Sequence, residues 1–179
     1  VDNSDEPALS AHEPMYFVIG DQGGANARFQ FSFKYRLLSP ESSSAQLFPL
    51  LSNLYIGYTQ TSIWDLSAES SPFHDSSYRP SLFWQKRFQE QGLTPTLLQT
   101  GFEHESNGKA DESSRSINTL FVRPVWYYEL EEGRTFTFLP KFYWYLEKSD
   151  NPDIQRYRGY ADWNFRYGNE DGWLLTSQL

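Results

Sequence analysis

The sequence predicts an all-β protein, an antiparallel transmembrane β-barrel. Three observations carry that expectation. Several segments alternate strictly between apolar and polar residues, the period of a strand with two unlike faces. Aromatic residues make up 18% of the 179 residues, with 6 Trp, 12 Tyr and 14 Phe. That is enough for girdles where a barrel meets both membrane interfaces. No run of about 18 apolar residues exists, which excludes a transmembrane helix. It leaves open strands of about ten alternating residues, which hydropathy averages miss.

The elements follow in order. The chain opens with VDNSDEPALSAHEP, so residues 1–12 form a polar N-terminal segment. It has no signal-peptide pattern and reads as a mature start or an artificial boundary. Met15–Gly20 predicts a short strand, and Gly23, Gly24 and Asn26 a tight turn. Arg28–Arg36 reads RFQFSFKYR. Phe29, Phe31, Phe33 and Tyr35 share one face; Arg28, Gln30, Ser32, Lys34 and Arg36 share the other. Leu51–Trp64, Ser77–Arg87, Leu93–Ser106 and Ser116–Leu130 predict further strands. Thr135–Leu146 sets Phe136, Phe138, Phe142, Trp144 and Leu146 on one side. Arg156–Tyr167 again divides aromatics from arginines, and Trp173–Leu179 closes the series. Short turns are expected at Gln91 and Gly92 and at Glu132 and Gly133. Longer polar loops are expected at Ser67–Ser76, Asn107–Ser114 and Lys148–Asp153. Short turns at one end and longer loops at the other is the asymmetry of an outer-membrane barrel.

A soluble β-sandwich also alternates. Several arginines per strand, with aromatics near strand ends, suit a wet lumen and a lipid-facing exterior better. The count is about nine strands, whereas single-chain bacterial barrels have even numbers. The last segment, WLLTSQL, ends inside a strand, and an open edge in lipid is costly. The expectation is one barrel domain over 1–179 with closing strands missing at the C-terminus, which would insert poorly by itself. The 15 Lys and Arg against 23 Asp and Glu give a net charge of −8, which does not favour a nucleic-acid partner. With no cysteine, disulfides and thiolate metal sites are excluded.

The segment Gly101–Asn118, GFEHESNGKADESSRSIN, carries the candidate chemistry. His104 and Ser106 are two apart and share a strand face with Phe102, Thr100 and Leu98, the face expected toward lipid. Glu103, Glu105 and Gln99 lie opposite. Ser116, Asn118, Leu120 and Val122 form the matching face of the next strand, so Asn118 can sit beside His104. A serine hydroxyl is a weak nucleophile until a neighbouring imidazole takes its proton. A third group must hold that imidazole's tautomer. Taken alone, His-x-Ser also recurs by coincidence, as an interfacial pair. Gln60 shares a lipid-facing stripe with Leu54, Ile56 and Tyr58; unpaired there, it would cost about 1–3 kcal/mol or more. It could meet interfacial water or a second copy of the chain. His12 and His74 lie in polar context and read as solvated.

The run H-E-S-N-G at His104–Gly108, followed by S-S-R-S-x-N at Ser113–Asn118, resembles the outer-membrane phospholipase A family, calcium-dependent barrel lipases of Gram-negative outer membranes. Tyr58-Thr59-Gln60, Ser70-Ser71-Pro72-Phe73, Tyr78-x-Pro80, Asp150-Asn151-Pro152-Asp153-Ile154 and Gly159-Tyr160 match in the same order. The resemblance implies twelve strands when the barrel is whole. It implies His104 as general base, Ser106 as nucleophile and Asn118 as the residue orienting His104. The Gly108 amide would serve the oxyanion. Calcium would be held by the Lys109 carbonyl, Ser114, and Ser70 from a partner subunit, hard oxygen ligands that suit this ion. Asp111 and Asp150 are a possible second calcium pair. The family usually has Arg where Lys109 stands and Asp where Glu105 stands; a carbonyl ligand is indifferent to the first change. Activity as a homodimer, joined at the surface of Gln60, is also implied, with membrane phospholipid as substrate. Two rivals are a non-enzymatic porin or structural barrel and a lipid A deacylase-type hydrolase, which would favour a carboxylate in place of Asn118.

Overall fold

Period-two segments become a sheet when each strand finds neighbours for its N–H and C=O groups. A computed structural model describes residues 6–21, 23–89, 92–169 and 171–179. Gln91 of the predicted turn and the first five residues of the polar N-terminal segment lie outside these. The described residues form one antiparallel sheet of twelve strands. The strands are β1 Leu9–Ala11, β2 Tyr16–Asp21, β3 Ala25–Arg36, β4 Leu54–Asp65, β5 Phe73–Arg87, β6 Leu97–Ser106, β7 Ser116–Glu129, β8 Thr135–Phe138, β9 Lys141–Glu147, β10 Ala161–Asp162, β11 Asn164–Gly168 and β12 Leu174–Gln178.

Twelve segments occupy fewer places in the sheet. β1 and β2 share one edge of β3. β8 and β9 both pair with β7, and β10 and β11 pair with β9 and β8 in turn. The breaks have local causes. Pro140, almost fully buried between β8 and β9, lacks the N–H a ladder needs. The residues from 155 do not continue a strand: Gln155–Arg158 form a short helix, α2. It ends at Gly159 with φ +70°, so the predicted strand Arg156–Tyr167 is extended only from Ala161. Another short helix, α1 Ser43–Leu47, is capped by the Ser42 hydroxyl, which accepts from the Ala45 amide at 3.2 Å. It lies in the longest connection, 37–53, where no helix was expected. That connection shares its end of the sheet with 88–96 and 130–134, so the expected division into short and long loops is only partial. The loops 66–72, 107–115 and 148–160 do gather at the other end.

The two faces divide as the alternation requires. Phe31, Tyr35 and Ile56 are exposed on the convex face, while Ser32, Lys34 and Arg36 are buried on the concave one. Part of the interior is filled rather than merely lined. Tyr55, Phe83, Phe121 and Tyr143 form a buried aromatic cluster. The Lys141 ammonium lies 4.8 Å from the Phe121 ring centre and 2.7 Å from Glu103 Oε1. Charges brought inside are costly unless paired, and these are. The N-terminal stretch supplies part of the pairing. Glu6 Oε1 is 2.8 Å from the Lys34 ammonium. Glu13 reaches Arg79 at 2.7 Å and Arg123 at 2.5 Å. His12, between them, is not solvated: its ring stacks on Phe83 with centres 4.8 Å apart. His74 is exposed, as expected, but its Nε2 lies 3.0 Å from Asp65 Oδ2.

Gly101 shows how tightly β5 and β6 approach. A Cβ there would fall 2.3 Å from the Leu82 carbonyl oxygen and 2.5 Å from Phe83 Cα. Both are backbone atoms that cannot turn aside. Among the described residues, no ladder joins β12 back to β1 or β2, so the sheet is curled and open-edged.

Candidate active site

β6 and β7 are neighbours over ten residue pairs, from Leu97 opposite Val125 to Ser106 opposite Ser116. This register sets His104 directly opposite Asn118. The His104 Nδ1 and Asn118 Oδ1 are 2.8 Å apart. A carbonyl oxygen can only accept, so Nδ1 carries the proton and Nε2 keeps its lone pair. Ser106 follows on the same strand and face. Among the described residues its hydroxyl is committed to no hydrogen bond. Phe102, Leu120 and Trp144 continue the same outward face and are exposed; Phe102 pairs with Leu120, and Leu120 with Trp144. The polar group therefore stands at the rim of an apolar band. Glu105, between His104 and Ser106, points the other way. Its carboxylate accepts from Ser77 Oγ at 2.7 Å and Arg158 Nη1 at 2.5 Å.

The loop 107–115 adds a cluster of oxygens. Ser114 Oγ donates to Asp150 Oδ2 at 2.7 Å, and Ser116 Oγ donates to the same oxygen at 3.0 Å. These two hydroxyls hold the Asp150 carboxyl below its ordinary value. Asn151 Nδ2 donates to the Ser116 carbonyl at 3.2 Å, tying the loop that follows β9 to β7. Gly108 has φ +67°, and a Cβ on it would meet the Tyr78 ring at 2.9 Å. Lys109 is exposed, with its carbonyl in the same loop. Asp111 opens a 3-10 turn at φ +54°; its carboxylate makes no hydrogen bond or ion pair among the described residues, so the contacts do not join it to Asp150. Ser70 lies in the 66–72 loop at this same end, with φ +63°. Among the described residues no three His, Asp or Glu side chains gather as a metal cage. The donor set that does gather consists of the Ser114 and Ser116 hydroxyls and the Asp150 carboxylate, hard oxygens of the kind calcium accepts.

Gln60 is not left without a partner. Tyr58 OH donates to its Oε1 at 2.9 Å, and its Nε2 donates to Ser62 Oγ at 3.1 Å. Ser62 Oγ lies 2.9 Å from Ser76 Oγ. A polar ladder thus runs along the convex face of β4 and β5. Spacing singles out neither Asn107 nor Ser116, although both hydrogen-bond within this loop cluster. Asn107 stands inside the H-E-S-N-G run, and Ser116 two residues before Asn118.

An antiparallel barrel-type sheet bearing a His–Asn pair and a neighbouring serine on its exposed apolar face defines a class of outer-membrane β-barrel protein. The phospholipase A1 family model matches residues 3–177, and the chain belongs to that family. It is 31% identical to a phospholipase A1-like protein of Neisseria meningitidis over 90% of this chain and 42% of that one. It is 37% identical to the phospholipase A1 of Escherichia coli over 62% of this chain and 38% of that one. The chain thus spans about two-fifths of the length of these curated relatives. Its fold matches the outer membrane phospholipase A of Escherichia coli with a TM-score of 0.76 and 26% identity, covering 97% of this chain and 72% of that one. A form of that protein with an active-site asparagine replaced by alanine matches at 0.75. The outer membrane phospholipase of Salmonella typhi, a dimer with bound calcium, matches at 0.69 with 28% identity, covering 86% of this chain and 57% of that one.

Proposed function

We propose that this protein hydrolyses phospholipid acyl esters in a Gram-negative outer membrane, using Ser106, His104 and Asn118. The observation that carries the reading is the 2.8 Å contact between His104 and Asn118 on a surface whose neighbours are exposed and apolar. A site placed there meets a lipid ester without drawing it out of the bilayer. The Ser106 hydroxyl attacks the ester carbonyl while His104 Nε2 takes its proton. Asn118 holds the imidazole through Nδ1–H throughout. His104 then gives the proton to the departing lysophospholipid oxygen, leaving an acyl group on Ser106. Water, activated by the same imidazole, releases the fatty acid. The Gly108 amide faces the developing oxyanion.

Calcium fits the oxygens present: the Lys109 carbonyl and Ser114 would hold it, with Ser70 supplied by a partner subunit, and Asp111 and Asp150 are the candidates for a second ion. Bound, it would stabilise negative charge on the ester oxygen. A homodimer joined along the face of Gln60 belongs to the same reading, and the dimeric relative supports the dimer. A porin has no use for the outward His–Asn pair. A lipid A deacylase would have a carboxylate where Asn118 stands.

Fatty-acid release from mixed phospholipid micelles tests the reading. Calcium-dependent release by the wild type, absent from Ser106→Ala and in EDTA, is expected. Equal release by Ser106→Ala would overturn it, and release indifferent to EDTA would remove calcium from it.

A further inference from the structure

The loop between the proposed nucleophile and its facing strand is organised by one side chain. Asn107 directly follows Ser106. Its Oδ1 accepts from the Arg115 amide at 3.0 Å and from the Lys109 amide at 3.3 Å. Its Nδ2 donates to the Ser113 carbonyl at 2.9 Å. Its own amide donates to the Arg115 carbonyl at 3.0 Å, continuing the β6–β7 ladder by one step. A single asparagine therefore ties both ends of the loop together. Between those ties lie Gly108 and Lys109, and just inside the far one lies Ser114.

The rest of the loop fits this pinning. Gly108 takes a left-handed φ of +67°, so the chain leaves the strand in a conformation that favours glycine. The Tyr78 ring lies against it, where any side chain would collide. Tyr78 is also the cross-strand partner of Ser106 on β5. The Gly108 peptide is thus closed in by a ring on one side and by the Asn107 bonds on the other. An exposed loop without such ties would leave its amide free to point elsewhere.

We propose that Asn107 is a positioning residue for ester hydrolysis: it fixes the 108–115 loop so that the Gly108 amide faces the oxyanion formed at Ser106. This rests on the function proposed above. Asn107 makes no bond to a reacting atom; it acts through the loop backbone. A displacement of about 1 Å at a reacting centre costs on the order of 100-fold in rate, so the effect belongs in kcat.

Two variants separate its bonds. Asn107→Ala removes all three side-chain contacts. Asn107→Asp keeps an acceptor for the Lys109 and Arg115 amides and loses the donor to Ser113. Kinetics per folded enzyme and hydrogen exchange of the 107–115 amides are measured beside wild type and Ser106→Ala. Asn107→Ala should lower kcat by on the order of 100-fold with KM little changed, and expose the Lys109 and Arg115 amides to exchange. Asn107→Asp should restore amide protection and recover part of kcat. A purely structural role would lower the folded fraction and leave kcat per folded enzyme unchanged; that result overturns the proposal. Wild-type kcat in Asn107→Ala with exchange unaltered overturns it as well. If the wild type itself shows no Ser106-dependent hydrolysis, the proposed function falls, and a role for Asn107 in the reaction falls with it.

Discussion

His104 and Asn118 meet because two strands share a register, and their contact fixes which imidazole nitrogen is free. An amide oxygen orients the ring but stabilises the imidazolium less than a carboxylate would. Asn118→Ala should therefore lower kcat by roughly 10–100-fold, less than the loss in Ser106→Ala, when fatty-acid release is followed under saturating substrate. Asn118→Asp should retain more activity than Asn118→Ala. Asp150 gives a pH-dependent expectation. Its carboxyl is held low by hydrogen bonds from Ser114 and Ser116. Its contribution is fully present above the unfolded value of about 4 and is lost as pH falls through the lower folded value. The melting-temperature difference between wild type and Asp150→Asn should be flat from about pH 5 to 8 and vanish only below the ordinary carboxylate range. The face shared by His104, Ser106 and Asn118 was legible from spacing alone, because strand parity is rigid. The Asp150 contacts with Ser114 and Ser116 were not, since they join residues 34 and 36 positions apart through loops that have no period.

At the level of elements, β6 is held from inside. Glu103 points into the concave face and pairs with Lys141 on β9, with side-chain exposures of 5% and 2%. Removing one partner leaves a buried charge uncompensated. Glu103→Ala should cost about 3–5 kcal/mol in detergent-solubilised unfolding, and the double variant Glu103→Leu/Lys141→Met should recover most of it. The long strands β3, β4, β5, β6 and β7 were legible because apolar and polar residues alternate through them. The broken region was not. Thr135–Leu146 keeps one parity across Pro140, so the interruption between β8 and β9 is invisible to a face-counting argument. Residues 156–158 carry the arginine–tyrosine alternation of a strand, yet local i to i+4 bonds such as Arg158 N to Ile154 O at 2.9 Å win there. β1 was missed because three residues are too few to show a period; it is defined by pairing with Phe33, Lys34 and Tyr35.

Across the whole molecule, the sheet departs from a soluble protein: paired charges lie inside beside a small aromatic cluster, and many further apolar and aromatic side chains are exposed outside. That departure could be read from which residue types alternate. The filling of the interior could not, because it depends on Glu6 and Glu13 reaching in from a stretch that looks like a polar tail. The ladders from β4 to β7 are flanked on both sides, whereas β2 and β12 each lie at an open edge among the described residues. Hydrogen exchange should therefore be slowest in β4–β7 and fastest in β12 and β2; uniform protection would mean that those edges are covered. The site sits on the protected part, which suits a group that must hold its geometry at a membrane surface.

Covalent trapping of the nucleophile tests the central claim most directly. The folded protein in micelles is treated with a long-chain alkylphosphonate ester, and the modified peptide is identified by mass spectrometry. The account predicts one adduct, on Ser106, that forms in the wild type and not in His104→Ala. Folded wild-type protein that remains unmodified, or carries the adduct on another serine, would contradict it.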